Sequence, residues 1–193
     1  MDCKNSIISV INMAHTSYYS EEELAQLGLK SYGKGVQLSR HACLYGAHRI
    51  SIGDNVRIDD FCILCGDVTI GSHIHIAPYC VFYGEYGIRM EDYSGLSAGV
   101  KIYSAIDDFS GEYAVGSMQP LDKRKLINGQ VVLEKYVQVG AGSCVFPDVT
   151  IGEGTAVGAM SLVKTSLPEW GIYAGIPVRL IKERKRNLLE LLK

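Results

Sequence analysis

The 193-residue sequence has no excess of charge of either sign: 19 lysines and arginines face 21 aspartates and glutamates, for a formal net charge of −2. This balance gives no indication of a nucleic-acid partner or an anionic membrane surface. No apolar run approaches the roughly 18 to 20 residues of a membrane-spanning helix. The stretch before Ser20 has one lysine and a broken apolar segment, which makes a poor signal peptide. We therefore predict a cytoplasmic protein with no membrane span and no nucleic-acid partner.

Cysteine is scarce for a disulfide scaffold, and we interpret its six scattered copies as reduced thiols. Cys62 and Cys65 form a CxxC motif, but no second pair follows and no histidine stands at zinc-finger spacing. Because cysteine is also an ordinary small core residue, we predict a structural role for this pair and no metal site. The other cysteines are Cys3, Cys43, Cys80 and Cys144.

A six-residue period runs through the middle of the chain. A helix would repeat every 3.6 residues and an amphipathic strand every 2, so the period indicates neither alone. The residue four positions after each repeat position is mostly small or β-branched, as at Val56, Cys62 and Val68. The repeat positions are Ile52, Ile58, Leu64, Ile70, Ile76, Phe82, Met90, Leu96, Ile102, Leu133, Val139, Val145, Ile151, Val157 and Val163.

The strongest motifs recur at three times this period. Ile52 in "ISIGDNV" and Ile70 in "VTIGSHI" are 18 residues apart. A triangular coil with one short strand per side fits this spacing, because the repeated aliphatics then stack inward between coils, as in other solenoids. We predict an all-β solenoid, a parallel β-helix of about six coils over residues 33–168.

The flanking segments and one insertion complete the predicted organisation. Residues 1–32 form an N-terminal segment whose capping box, from Ser20 to Glu23, begins a helix at about 21–27. The repeat breaks between about 104 and 131, where a long loop is expected to be functional. Residues 169–193 form a C-terminal extension, and the pattern "VRLIKERKRNLLELLK" from Val178 predicts a basic helix.

The repeated [LIV]-G-x-x-x-x pattern and the ending "GIPVRLIKER" resemble the hexapeptide-repeat acyltransferase superfamily. The nearest resemblance is to maltose and galactoside acetyltransferases and to sugar acetyltransferases of bacterial surface-polysaccharide pathways. The resemblance implies a left-handed β-helix, acetyl-CoA as acyl donor, a sugar or nucleotide-sugar acceptor, and a homotrimer. Outward apolar residues such as Ile63, Val81 and Leu162 agree with an interface between subunits.

The resemblance also implies an acyl-donor groove. The segments "VGAGSCVFP" and "VGAMSLVKT" correspond to those where the family lays the pantetheine arm, with small residues that let the ligand approach the backbone. The implied donor contacts are Ala141, Ala159, Lys164, Thr165 and Arg179, the last near the phosphates.

The acceptor side departs from the nearest relatives. Asp107 stands where they have the histidine base, Ala77 where they have an asparagine, and Glu85 where they have an aspartate. We therefore expect an acceptor other than maltose or a galactoside. Without the usual histidine, an amine acceptor is favoured as much as a hydroxyl with a relocated base, and O- and N-acetylation both stay open.

An outward histidine is the natural substitute base, because imidazole titrates near neutral pH. His75 and His73 lie on one predicted coil and are candidate catalytic residues together with Asp107. Candidate acceptor contacts are Asp108, Glu85 and Tyr79. The alternative is a non-catalytic or metal-binding β-helix oligomer, but a zinc site would need a third histidine about 18 residues away, and none is present.

Overall fold

The computed structural model describes residues 17–192, which wind into a left-handed parallel β-helix. Short strands form three flat faces, numbered here in the order in which the chain visits them. The first face contains β1 (Ser31–Tyr32), β4 (Ile50–Ile52), the ends of β6 (Ile63–Ile70) and β8 (Val81–Met90), β13 (Val131–Leu133) and β16 (Thr150–Ile151).

The second and third faces complete the prism. The second contains β2 (Gln37–Leu38), β5 (Val56–Ile58), β7 (Ile74–Ile76), β9 (Gly95–Leu96), β14 (Gln138–Val139), β17 (Ala156–Val157) and β19 (Gly171–Ala174). The third contains β3 (Cys43–Tyr45), the beginnings of β6 and β8, β10 (Lys101–Tyr103), β15 (Cys144–Val145) and β18 (Leu162–Val163). The strands within each face pair in parallel, and seven stack on the second face where the sequence predicts about six coils.

The six-residue period is confirmed as the core of the molecule. Repeat residues pair directly with repeat residues of the next coil, as Ile58 does with Ile76 and Ile76 with Leu96. All fifteen predicted repeat positions have at most 4% of their surface exposed and belong to one apolar cluster. Burial of this column stabilises the coil at about 25 cal/mol per Å² of apolar surface.

The N-terminal end of the column is covered by the predicted helix, although the helix is shorter than expected. Helix α1 spans Glu21–Leu24, and both hydrogen bonds of its Ser20–Glu23 capping box are present. Leu24 is buried in the core cluster. Glu23 also forms an ion pair with Arg40, with 2.5 Å between Arg40 Nη2 and Glu23 Oε2, which ties the helix to the first coil.

The helix predicted from Val178 is wrong over most of its length. Residues Arg179–Glu183 form strand β20, which pairs antiparallel with β19, and only Leu188–Leu191 form a helix, α2. An open sheet edge at the last coil exposes unpaired backbone groups. β20 pairs with that edge, and this tertiary demand overrides the helical periodicity of the segment.

The insertion forms an antiparallel hairpin rather than an irregular loop. It leaves the body after Ser104 through β11 (Ala105–Asp107) and returns through β12 (Leu126–Asn128), with a single 3-10 turn, Leu121–Lys123, between them. Another 3-10 turn, Ala47–Arg49, lies in an early coil. Within the described residues, no helix combines the length and apolarity needed to cross a bilayer.

Candidate active site

The corner between the first and second faces is lined by stacked rings, and we call it the aromatic corner. His73, Tyr93, Tyr136 and Trp170 occupy the same turn position in different coils, all with positive φ. The ring centroids of His73 and Tyr93 lie 4.7 Å apart, and those of Tyr93 and Tyr136 lie 5.4 Å apart. The Trp170 ring covers Gly154, where an added Cβ would lie 2.5 Å from the indole, and reaches within 6.4 Å of Tyr136.

The corner between the second and third faces begins in the same way and then changes. Phe61 and Tyr79 stack at 5.2 Å. The next two coils have Gly99 and Gly142 at this turn position, both with positive φ. We call this the open corner, because a Cβ added at Gly99 would find no atom closer than 3.9 Å.

A strip of exposed alanines borders these glycines. Gly142 N–H donates to Ala98 O, and Met160 N–H donates to Ala141 O, so Ala98, Ala141 and Ala159 stack in one column. Ala98, Ala141 and Ala159 are exposed. We call Gly99, Gly142 and these three alanines the donor groove.

A hollow of about 380 Å³ lies on the second face between the two corners. Its floor is Gly95, where an added Cβ would lie 2.7 Å from the Gln138 side chain. His73 and His75 border it on the preceding coil, and Ser97 borders it toward the donor groove. Ser97 is exposed, so a ligand in the donor groove would meet a ligand in the hollow at Ser97.

A buried carboxylate organises the polar groups beside this hollow. Asp59 Oδ2 lies 2.7 Å from His75 Nε2, and Asp59 Oδ1 accepts from Arg57 Nε at 2.7 Å and from the Tyr18 hydroxyl at 2.8 Å. Burial by itself would raise the pKa of the Asp59 carboxyl, but the three donors outweigh burial and hold the pKa below its ordinary value. Asp59 therefore stays ionised at neutral pH and fixes the orientation of the imidazole.

The inserted hairpin carries the two predicted aspartates. It leaves the body at the corner between the third and first faces, which we call the third corner. Asp107 accepts from Arg124 Nη2 at 3.0 Å and from Gly116 N–H at 3.2 Å. Asp108 accepts from Ser110 N–H at 2.8 Å and lies 3.4 Å from Lys125 Nζ. The Ser110 amide, followed by Lys125, lowers the pKa of the Asp108 carboxyl. Both side chains are held by hydrogen bonds and ion pairs within the hairpin itself.

The remaining predicted residues are spread around the prism. Tyr79 is exposed at the open corner. Glu85 pairs with Arg49 at 2.9 Å near the base of the hairpin. Three of the predicted donor contacts are exposed side chains beyond the alanines: Lys164 and Thr165 follow β18, and Arg179, the one predicted near the phosphates, lies on β20 opposite Ala174.

Within one chain the predicted catalytic and acceptor residues form two groups. His73, His75 and Tyr79 surround the hollow and the open corner, whereas Glu85, Asp107 and Asp108 lie at the third corner. Within residues 17–192, no group of three His, Cys, Asp or Glu side chains is arranged to hold a metal ion.

The sequence interpretation missed Asp59 and Ser97, although a signal for both exists. Ala77 N–H donates to Leu96 O, and Ser97 N–H donates to Val139 O, while Asp59 N–H donates to Ile76 O. Asp59, Ala77 and Ser97 therefore hold the same position in three successive coils. Stepping one coil in either direction from Ala77, which was already assigned to the acceptor side, would have found them.

The geometry is that of a coenzyme-thioester-dependent transferase: a groove of small residues with accessible backbone leads to a polar hollow that can hold an acceptor. Donor-groove side chains no larger than alanine leave room for an extended pantetheine arm.

Comparison with known proteins agrees with this class. The family model "Bacterial transferase hexapeptide (six repeats)" matches residues 49–84. The chain is 40% identical to a dTDP-4-amino-4,6-dideoxy-D-glucose acyltransferase of Escherichia coli over 91% of this chain and 93% of the relative. It therefore belongs to the hexapeptide-repeat acyltransferase family, and it is an acyl-CoA-dependent sugar acyltransferase.

Two solved structures extend the comparison. AntD, an N-acyltransferase from Bacillus cereus in complex with dTDP and 3-hydroxybutyryl-CoA, is 53% identical with a TM-score of 0.91, over 92% of this chain and 95% of AntD. A maltose O-acetyltransferase from Clostridium difficile 630 is 21% identical with a TM-score of 0.57, over 95% and 85% of the two chains. The latter shows the shared fold alone. The alternative of a non-catalytic oligomer is wrong.

Proposed function

We propose that this protein transfers an acyl group from CoA to the amino group of a nucleotide-linked amino sugar of the dTDP-4-amino-4,6-dideoxyglucose type. The observation that carries the proposal is similarity over nearly the whole chain to two enzymes described as acting at nitrogen or on this nucleotide sugar. The replacement of the usual histidine base by Asp107 supports the same choice, because a neutral amine is already nucleophilic and needs less help from a base than a hydroxyl does.

A spacing in the sequence supports a specific pair of acceptor residues. AntD has been solved with changes at a serine and at an aspartate that stand ten positions apart in its chain. In this sequence, Ser97 and Asp107 are the only serine and aspartate in that order with the same spacing. Ser97 borders the hollow beside the donor groove. We assign Ser97 and Asp107 to the amine.

In the proposed reaction the amine nitrogen attacks the thioester carbonyl carbon, so a C–N bond forms and the C–S bond breaks. The Asp107 carboxylate accepts a hydrogen bond from the amine and orients it, and the Ser97 hydroxyl fixes its position. The amine loses one proton overall, and the departing thiolate gains one. His75, held by Asp59, is available beside the hollow to relay that proton.

We propose that the active site forms between subunits of a homotrimer. Asp107 lies at the third corner of one chain and the hollow lies on its second face, so a neighbouring subunit is needed to bring them together. Ile63, Val81 and Leu162 lie half-buried on the third face. The hairpin carries large exposed apolar side chains, namely Phe109, Met118 and Leu121. Exposed apolar groups of this kind usually mark an interface.

Acceptor and donor also suggest the cellular role. Acyl-CoA and nucleotide sugars are both cytoplasmic metabolites, so we propose a cytoplasmic enzyme that supplies acylated sugars for surface-polysaccharide synthesis. Acetyl-CoA and longer acyl-CoA esters are both candidates, since the hollow of about 380 Å³ lies beside Ser97, where the acyl group would end.

A thiol-release assay tests the proposed function. We expect turnover with dTDP-4-amino-4,6-dideoxyglucose and none above background with dTDP-glucose, which offers only hydroxyl groups. Asp107→Asn keeps the shape of the side chain and should lower kcat/KM by about 10²–10³-fold, because a charged hydrogen bond to the amine is lost. Equal turnover of dTDP-glucose, or an unchanged Asp107→Asn variant, would overturn the proposal.

A further inference from the structure

One column of outward side chains on the second face contains the polar cluster beside the hollow. Gln37, Arg57, His75, Gly95 and Gln138 pair with one another in that order on successive coils. Gly95 and Gln138 border the hollow, and Arg57 lies two coils before Gly95. A smaller hollow of about 220 Å³ follows on the N-terminal side of Arg57.

Arg57 is an exposed side chain held in place by the buried carboxylate of Asp59. Its Nε donates to Asp59 Oδ1 at 2.7 Å, while 53% of its side-chain surface remains exposed and only 9% of the Asp59 side chain does. A guanidinium held through Nε still offers its Nη groups to a second acceptor, and its planar fork suits phosphate oxygens. His75 shares the same carboxylate and lies on the next coil.

The direction of the two substrates follows from the order of the coils. The donor groove runs from Ala98 through Ala141 to Ala159, that is, toward the C-terminal coils. A thioester that ends beside Ser97 therefore occupies the C-terminal side of the hollow. The rest of an acceptor whose amine meets that thioester must extend the other way, over His75 and Arg57.

We propose that Arg57, anchored on Asp59 and flanked by His75, binds the diphosphate of the nucleotide-linked acceptor, with the nucleoside in the smaller hollow beside Gln37 and Asn55. This subsite rests on the proposed function, because it presupposes a nucleotide sugar whose amine lies at Ser97. From Gly95 to Gln37 the column crosses three coil spacings, roughly 14 Å at the usual distance between strands, comparable with an extended sugar diphosphate.

The smaller hollow has groups suited to a pyrimidine. Gln37 and Asn55 line it together with Gly35, Val56 and Arg57. Side-chain amides offer both donors and acceptors, which match the alternating edge of a thymine ring. Arg57 separates this hollow from the one beside Ser97, so the charge lies between the two ends of the acceptor.

Titration of dTDP into the purified protein, followed by calorimetry, tests the subsite with a matched control. Arg57→Gln should weaken dTDP binding by roughly ten- to hundredfold, since charge-assisted hydrogen bonds are lost. Arg89→Gln is the control: Arg89 is 49% exposed and pairs with Glu91 two positions on, as Arg57 pairs with Asp59, but it lies on the first face. Its dTDP affinity should stay within about twofold of the unmodified protein.

Two further measurements separate charge from geometry. Arg57→Lys keeps the charge but loses the planar fork, so it should recover only part of the affinity. Thymidine lacks phosphates, so it should bind more weakly than dTDP. Its affinity should be the same for Arg57→Gln as for the unmodified protein. Equal loss of thymidine and dTDP binding, or a dTDP affinity in Arg57→Gln equal to that of Arg89→Gln, would overturn the subsite.

Failure of the subsite is distinguishable from failure of the proposed function. Turnover of the amino sugar with no Arg57-dependent dTDP binding would overturn the diphosphate subsite and leave amine acylation intact. Arg57-dependent binding of dTDP without thiol release from any acyl-CoA would support the subsite and overturn the proposed reaction.

Discussion

The aromatic corner and the open corner have the same turn in the backbone but opposite surfaces. In both, the residue at the tight turn adopts positive φ in successive coils. At the aromatic corner that position holds His73, Tyr93, Tyr136 and, after Gly154, Trp170, whereas at the open corner the rings end at Tyr79 and Gly99 follows. The conformation favours glycine, yet the aromatic corner accepts its strain at four residues. Stacking, worth about 0.5–1.5 kcal/mol for each pair, offsets that strain.

This difference indicates where function interrupts a structural pattern. Rings could continue along the open corner as they do along the aromatic one, because the backbone is equivalent. Gly99 and Gly142 replace them over the coils where the acyl donor is expected. A break in a repeated stabilising contact therefore marks the ligand groove better than any single motif does.

The largest expected effect comes from filling the donor groove. Ala141→Trp should lower kcat/KM for acyl-CoA by more than about 100-fold, because the indole would occupy the space of the pantetheine arm. The matched control is Lys135→Trp, an exposed position on the same coil next to the aromatic corner. It should leave kcat/KM within about threefold of the unmodified enzyme. Loss of activity in both variants would contradict the assignment of the groove.

The same variant also tests whether the site is shared between subunits. Ala141→Trp and Asp107→Ala, refolded together in equal amounts, should recover about a quarter of the full activity if each site takes one residue from each of two neighbours in a random trimer. No recovery above the two separate variants would place both residues in one chain and contradict the shared site.

A smaller effect, on stability, is expected at the aromatic corner. Tyr136 stacks on Tyr93 and approaches Trp170, so Tyr136→Ala should lower the free energy of unfolding by about 1–3 kcal/mol and leave the KM for both substrates unchanged. Tyr79 is exposed and stacks on Phe61, so Tyr79→Ala should lower the free energy of unfolding by only about 1 kcal/mol or less. The same variant should raise the KM for the acceptor. Urea unfolding and steady-state kinetics measure both. The comparison between corners fails if the two variants behave alike.

The smallest expected effect is at Met160, which covers part of the open corner. An added Cβ at Gly142 would lie 2.5 Å from Met160 Sδ, and Met160 is 68% exposed. Met160→Ala should change the KM for acyl-CoA by only about two- to threefold and leave stability nearly unchanged, since an exposed side chain has little packing to lose. A change above tenfold would mean that Met160 is a principal donor contact.

The sequence predicted the body of the fold better than its ends. Ile52, Ile58 and Leu64 face the core because a six-residue period leaves no other register for a three-sided coil. The segment after Val178 was predicted as a helix because its apolar residues follow a helical pattern. The open edge of β19 offers backbone hydrogen bonds to Arg179–Glu183, which no local pattern records.

The candidate site divides in the same way. His75 and Asp107 were recognisable by residue type and by resemblance, but their partners were not. Asp59 meets His75 only because the coils stack them, and Arg124 meets Asp107 only across the hairpin. Ser97 belongs to no recognisable sequence motif. It is a candidate site residue because it lies between the hollow and the donor groove.

What the sequence by itself determined is the coil: side chains repeated every six residues bury one continuous column, and burial of apolar surface dominates folding. What only the tertiary structure decided is the arrangement of the outer surface. Outward residues make no contribution to the column, so the six-residue pattern determines neither their residue types nor their contacts. Their partners are therefore set by the stacking of coils that are distant in sequence, as for Arg57, Asp59 and His75.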